Sequence, residues 1–301
     1  MKVYSFLAGA SPRAGVEVAG QILDVAAAYE VYLHQKGPRP GWPPRLPASM
    51  LSVLRGGVLA REMLQELSAW AARRPAVPVG TRLHYLFGEV TLLPPVSAPG
   101  KILCLDCDQG GRGVGACIRN ARGKFASSLS ASFEPTLLDS QSRELRAVPR
   151  IGVVVGAARG AGHMQAVPGS VFGFQVVIDC QAVPVPGEEA QSFLHENSPG
   201  FTPVSAALFC LPVDFPVVKL RWLLESPGEE PTQGEVTFGM DWVEAVLSEA
   251  GSNLGLAIGD LVAVQSSLNP PLRLCPGSKL VCESPGYATV TVEMKRPAPA
   301  A

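Results

Sequence analysis

Charge is scarce in this chain. Only 17% of its 301 residues are Asp, Glu, Lys or Arg, and the formal net charge is −1. A surface that tracks a phosphate backbone needs a basic excess, so nucleic acid is excluded as a partner. Long apolar runs are missing as well: none approaches the roughly 20 residues that span a bilayer, so no membrane association is expected. The opening residues MKVYSFLAGASPRAG hold a single lysine and a short apolar patch before Pro12 and Arg13. That pattern is too weak for a secretory signal, and a cytoplasmic location is expected.

Regular cysteine spacing is absent too. Seven cysteines, an odd number, predict free thiols in a reducing compartment rather than a disulfide framework. Cys104 and Cys107 form a CxxC, but a zinc site needs a second pair at a matching distance. Cys275 and Cys282, with six residues between them, do not supply one. The pair reads as buried, inert thiols.

What the chain does have is apolar content, 47% of its residues, enough for one large domain or a small one plus a large one. Residues 1–95 read as a smaller α+β module. It opens on a strand (KVYSFLA) and continues through GQILDVAAAYEVYL, a strand-like run in which Asp24 could equally cap a helix. Two helical segments follow at 48–55 and 58–73. The prolines of VTLLPPVSAPGK forbid a helix there and mark a boundary near residue 96. From 96 to 301 strands dominate, at 101–105, 151–155, 171–179, 205–211, 217–224, 260–264, 279–283 and 288–294. One helix is predicted over 238–251, with Trp242, Val243, Val246 and Leu247 as its apolar face. Many strands broken by Pro and Gly, with a single late helix, give an α+β class built on a rolled sheet.

The stretch IGVVVGAARGAG (151–162) looks like the strand and glycine turn of a dinucleotide-binding fold. Such a loop must lead straight into a helix whose amide end faces the pyrophosphate, with an acidic residue about 20 positions on. Here Pro168 and Gly169 break any helix, and Asp179, near the right offset, ends the next strand. The glycines read as an ordinary turn, and no cofactor is expected.

Taken together, several segments resemble the fumarylacetoacetate hydrolase family over almost the whole chain. VTLLPPVSAPGKILCL is similar to the family's linker into its catalytic domain. KFASSL (124–129) resembles its Lys-Pro-Pro-Ser-Ser-Leu, VPRIGVVVG its Glu-x-Glu-Leu-Ala-Val-Val-Ile-Gly strand, and VFGFQVVIDC its Phe-Gly-Tyr-x-Ile-x-Asn-Asp. FGMDWVEAVLSEAG, LAIGDLVAV and LCPGSKLV follow in the family's order. The resemblance implies a twisted β-roll domain with a smaller N-terminal α+β domain, assembled as a homodimer. It also implies chemistry on diketo or enolic acids held on a magnesium or calcium ion, a hard cation that takes oxygen ligands and stabilises an enolate.

That ligand set is largely missing. Where the family has its two glutamates stand Val148 and Arg150, and only Asp179 is kept. The family's histidine falls at or near Arg112, which cannot act as a base at neutral pH. Its Gly-Lys-Ser-Phe lysine corresponds to Gln191, and its Thr-Gly-Thr turn to Val264, Gln265 and Ser266. The expectation is that Arg150 takes the place of the metal and pairs with Asp179, so that no metal is bound.

The resulting reading is a metal-independent protein that binds and transforms a small β-keto, diketo or enolic acid. Condensation, cyclisation, decarboxylation or isomerisation in a biosynthetic pathway would all use an enolate and a fixed cation. Candidate catalytic residues are Lys124, Arg150, Asp179, Arg112, Asp108 and His195, the last oriented by Glu196. Ser127, Ser128, Asp106, Gln191 and Ser266 are candidate substrate contacts. The ordinary readings stand beside these: His195 as an exposed histidine in a polar loop, and Asp106 and Asp108 meeting solvent or pairing with Arg112. Two alternatives remain open. One is a non-catalytic ligand-binding or scaffold relative; the other is a metal-dependent carbon–carbon hydrolase with its site relocated to Asp106, Asp108 and Asp179.

Overall fold

A computed structural model describes residues 1–42, 49–108, 117–131, 133, 135–138, 144–156, 171–183, 186–187, 189–210, 217–266 and 269–295. The glycine turn after residue 156 and Arg112 lie outside these.

The architecture is α+β, with two sheets and five α-helices among the described residues. The larger sheet has 14 strands, and its central path begins at His84–Tyr85, Gln21–Asp24, Pro12–Val18 and Lys2–Leu7. It continues through Ala207–Phe209, Val171–Ala182, Leu145–Val155, Leu261–Ser266 and Ile102–Asp108 to Cys117–Lys124. Lys2 pairs with Phe209 and Tyr4 with Ala207, so one hydrogen-bonded ladder runs from the N-terminal strands into the later ones. The approach is close here. A Cβ on Gly173 would lie 2.4 Å from the carbonyl oxygen of Phe209, which only glycine avoids. The smaller sheet runs Thr232–Gly239, Val217–Glu225, Lys279–Ser284, Ala288–Met294 and Thr136–Leu138.

Strand alternation divides the apolar residues between two cores. One core lies between the sheets, where Ile151, Val153, Val176 and Ile178 meet Leu220, Leu280, Val292 and the helix Met240–Leu254. The other lies on the opposite face of the large sheet, beneath the helices Val25–Lys36, Met50–Arg55 and Gly57–Ala71. Both readings of GQILDVAAAYEVYL hold in part. Gln21–Asp24 is a strand, and Asp24 then caps the helix by accepting from the Ala27 amide.

Two expectations are corrected. Glu189–Glu196 is a second helix in the later part of the chain, where only one was expected. His195 lies in its last turn rather than in an exposed loop. It is 6% exposed, with its ring edge-on to Phe201 at 4.8 Å. Leu145–Val155 runs antiparallel to Val171–Ala182, whereas a dinucleotide-binding unit needs a parallel pair. Cys104 and Cys107 belong to opposite cores, because residues three apart on a strand face opposite ways. Both are buried free thiols, and burial pushes Cys104 up to about 12. No helix among the described residues is long and apolar enough to cross a membrane.

Candidate functional site

The site grows out of two neighbouring strands. The register places Val148 opposite Asp179 and Arg146 opposite Gln181, so Arg146, Val148, Arg150, Asp179 and Gln181 share one face of the sheet. Arg150 stands diagonally from Asp179, a separation that a long side chain bridges. The parallel strand Ile102–Asp108 brings Asp106 to the same face from one side, and Lys124, at the end of Cys117–Lys124, closes it from beyond.

Arg150 and Asp179 are both 0% exposed, and they are bound to each other. The guanidinium donates to Asp179 Oδ2 from Nε at 3.1 Å and from Nη2 at 2.9 Å. Nη1 donates to the Leu105 carbonyl at 2.9 Å and lies 2.8 Å from Asp106 Oδ1. These contacts engage four of the five N–H groups that a guanidinium has. The other Asp179 oxygen, Oδ1, lies 3.1 Å from Lys124 Nζ, an ion pair rather than a well-aligned hydrogen bond. Lys124 Nζ donates to the carbonyls of Cys180 at 2.7 Å and Glu196 at 2.9 Å. Gln181 Nε2 adds a hydrogen bond to Asp179 Oδ2 at 2.8 Å.

Two cations and two carboxylates therefore share a nearly dry pocket with no formal excess charge. Burial alone would raise the Asp179 carboxyl. Lys124 and Arg150, with the Gln181 amide, outweigh it and hold that carboxyl at about 2. Burial likewise opposes the charge on Arg150, but Asp179 and Asp106 hold the guanidinium above even its own high range. Neither group faces solvent, so the pair acts as an internal electrostatic unit.

Two cavities open above it. The smaller, about 210 Å³, is lined by Asp106, Asn120, Arg122, Val148, Gln181 and Gln265, among others. The larger, about 340 Å³, shares Arg122 and Gln181 as walls and adds Arg146, Ser192, Phe193 and Glu196. Asp106, 24% exposed at its side chain, is the carboxylate of the cluster that reaches a cavity; its Oδ2 accepts from Asn120 Nδ2 at 3.1 Å. Glu196 lies 3.7 Å from Arg122. Burial raises its carboxyl against the pull of Lys124 and Arg122.

The expected site residues separate into three groups. Arg150, Asp179, Lys124 and Asp106 come together, but the first three are sealed and only Asp106 faces a cavity. Asp108 pairs with Arg119 at 2.6 Å, and its carbonyl accepts from Trp242 Nε1. Ser128 is buried against Thr202 at 2.8 Å, while Ser127 and Gln191 are exposed; none of the three lines either cavity. Ser266 is buried beside the cavity residue Gln265. Gln265 lies at the position aligned with the family's Thr-Gly-Thr turn, whereas Arg119, Asn120, Arg122, Arg146 and Gln181 were not anticipated. Their signal was the period of two: Arg122 stands two residues before Lys124, and Gln181 two after Asp179.

A divalent ion does not fit these donors. Val148 offers no oxygen, both oxygens of Asp179 are held by cations, and Asp106 Oδ1 is bound to Arg150. Among the described residues no three His, Cys, Asp or Glu side chains converge as a metal site.

No family model matches this sequence, and no curated protein matches it. Solved structures do. The chain is similar to maleylpyruvate hydrolase from Sphingobium sp. SYK-6, with a TM-score of 0.67 and 17% identity over 99% of this chain and 100% of that one. The same enzyme in complex with manganese(II) ion and pyruvate aligns at 0.65, with 16% identity over the same shares. A 2-hydroxyhepta-2,4-diene-1,7-dioate isomerase from Mycobacterium marinum aligns at 0.62, with 13% identity, again over 99% and 100%. Full coverage in both directions, with the two-sheet arrangement and the strand carrying Arg150 already described, settles the architecture: this chain has the fumarylacetoacetate hydrolase fold.

Proposed function

We propose that this protein binds a keto or enol acid in the cavity at Asp106 and isomerises it without a metal, using fixed side-chain cations instead. The observation that carries the reading is the Arg150–Asp179 pair, 2.9 Å apart and sealed beneath that cavity. One solved relative is described with manganese(II) ion and pyruvate and another as an isomerase, which supports this ligand class.

Among the reactions open to such a site, isomerisation asks least of it. One carboxylate that removes a proton from the carbon beside a carbonyl can return it to another carbon. Asp106 is placed for that role. Arg150 holds one of its oxygens, Asn120 holds the other, and Arg150 also supplies the positive field that favours an enolate above it. Arg122 and the amides of Gln181 and Gln265 supply donors for the acid's carboxylate and enolate oxygens. Splitting a carbon–carbon bond with water would need a second base to activate the water. A biosynthetic setting, a cytoplasmic location and a homodimer belong to the same proposal, and the buried free thiols accord with a reducing compartment.

The test is deuterium exchange into the methyl group of pyruvate, followed by NMR in heavy water with EDTA present. Exchange above the buffer rate that EDTA leaves intact is expected, with a loss of about 100-fold in Asp106→Asn, the typical worth of a positioned base. Exchange abolished by EDTA would refute metal independence. Saturable pyruvate binding without exchange would establish the second reading, a binding protein. The engagement of four of the five Arg150 N–H groups by its neighbours favours that reading over any mechanism in which the guanidinium touches the ligand.

A further inference from the structure

A third cavity, about 510 Å³, shares no residue with the two near Asp106. It lies between the turn that joins Pro12–Val18 to Gln21–Asp24 and the segment 72–84 that leaves the helix Gly57–Ala71. Its volume falls within the roughly 300–1,000 Å³ of small-molecule pockets. The floor is apolar: Val18, Ala71 and Leu83 are buried there, and Val77 adds an exposed wall. The charge beside it has one sign. No Asp or Glu lines the cavity, and the chain has none between Glu66 and Glu89, a stretch that holds Arg73, Arg74 and Arg82. Arg82 is engaged, bonded to Glu89 and 4.3 Å from the centre of the Tyr85 ring. Arg74 is not. Among the described residues its guanidinium has no ion pair and donates no hydrogen bond, although it lines the cavity. Burial lowers the His84 imidazole below its ordinary range, so its ring adds a neutral donor near that charge.

The backbone marks the same place. Among the described residues only two other than glycine adopt the left-handed conformation, Ala19 with φ 49° and Arg74 with φ 52°, and both line this cavity. Where the chain leaves a helix, glycine takes that conformation freely, so nothing in the turn itself calls for arginine. What its side chain adds is a cation at the rim of an apolar hollow. We propose that this cavity binds a small aliphatic carboxylate, its charge on Arg74 and its tail over Val18, Ala71 and Leu83. The guanidinium supplies a charge-assisted hydrogen bond, and the floor removes the tail from water. The site stands apart from the chemistry at Asp106 and does not depend on it.

The test is calorimetry on the intact protein with octanoate, octanol and acetate, which present tail with charge, tail alone and charge alone. Octanoate is expected to bind saturably and at least ~10-fold more tightly than either of the others, the worth of a charge-assisted hydrogen bond. Its affinity should be unchanged with pyruvate present. Arg74→Gly should lose about 10-fold in octanoate affinity while the melting temperature holds, because glycine suits the left-handed backbone. Arg74→Lys should keep part of the affinity. Octanol binding as tightly as octanoate would overturn the proposal, as would competition from pyruvate or a folded Arg74→Gly variant with wild-type affinity. Absence of octanoate binding would overturn it too; if the protein then sediments with phosphatidylglycerol vesicles, the cavity serves a lipid surface instead.

Discussion

Arg150→Met should cost the fold about 3–5 kcal/mol, the usual penalty for leaving a buried charge without its partner. The loss would be read from urea midpoints at neutral pH. Asp179 would keep Lys124 and Gln181 but lose both hydrogen bonds from the guanidinium, and the Leu105 carbonyl and Asp106 would lose theirs. Arg150→Lys should cost less, about 1–3 kcal/mol, because it keeps the charge and forfeits only the planar fork. The effect must also depend on pH. Asp179 is held at about 2 in the fold against an ordinary 3.8, so its contribution is fully present above 3.8 and lost as pH falls from there to about 2. The gap between wild type and Arg150→Met should therefore be flat near neutrality and narrow over that acid window. A variant within about 1 kcal/mol of wild type, or a gap indifferent to acid, would mean that the pair is not a coupled unit.

The second large effect is a gain. Val148→Glu with Arg150→Glu removes the guanidinium and places two carboxylates beside Asp179 on the same face, the oxygen-rich set a hard cation requires. The double variant should bind manganese at least ~100-fold more tightly than wild type, about 2.7 kcal/mol, as seen in the loss of the free-ion signal in electron paramagnetic resonance. Lys124, still 3.1 Å from Asp179 Oδ1, will hold the affinity down, so adding Lys124→Gln should raise it further. If the variant stays folded yet takes up no ion, the strand does not occupy the place of a metal-binding strand.

Much of the fold was legible because burial leaves a period in the sequence. Lys2–Leu7, Val171–Ala182 and Ala288–Met294 announce themselves as apolar runs, and Asp24 before VAAAYEVYL is a helix start. What escaped had its signal masked. Thr232–Gly239 lies at the edge of the smaller sheet, and its inward-facing alternation is short: Gly234 stands where an apolar residue would, leaving only Val236 and Phe238 to show it. Its Gly234 is there because a Cβ would lie 2.1 Å from the ring of Trp222. Pro12–Val18 begins on a proline, which is tolerable at the first residue of a strand but obscures its start in the sequence. Glu189–Glu196 is an eight-residue helix between proline- and glycine-bearing segments, too short for periodicity to show.

The site divides in the same way. That Arg150 and Asp179 would meet could be argued from a resemblance plus charge, since an arginine beside a lone aspartate on a buried face has few other stable outcomes. That Lys124 would complete the pair could not, because it arrives from a strand that the sequence did not reveal. Nor could Arg122 and Arg146 be placed at a cavity. Arginine on a strand is ordinarily a solvated residue, and only the register to Gln181 and the packing of Glu189–Glu196 make these two line a pocket.

The account turns on what occupies the space between Arg150, Lys124 and Asp179, and crystals of the wild-type chain soaked in manganese would answer that most directly through anomalous scattering. The guanidinium should be found about 2.9 Å from Asp179 with no anomalous peak beside that carboxylate. A manganese peak bound to Asp179 with Arg150 displaced would contradict it.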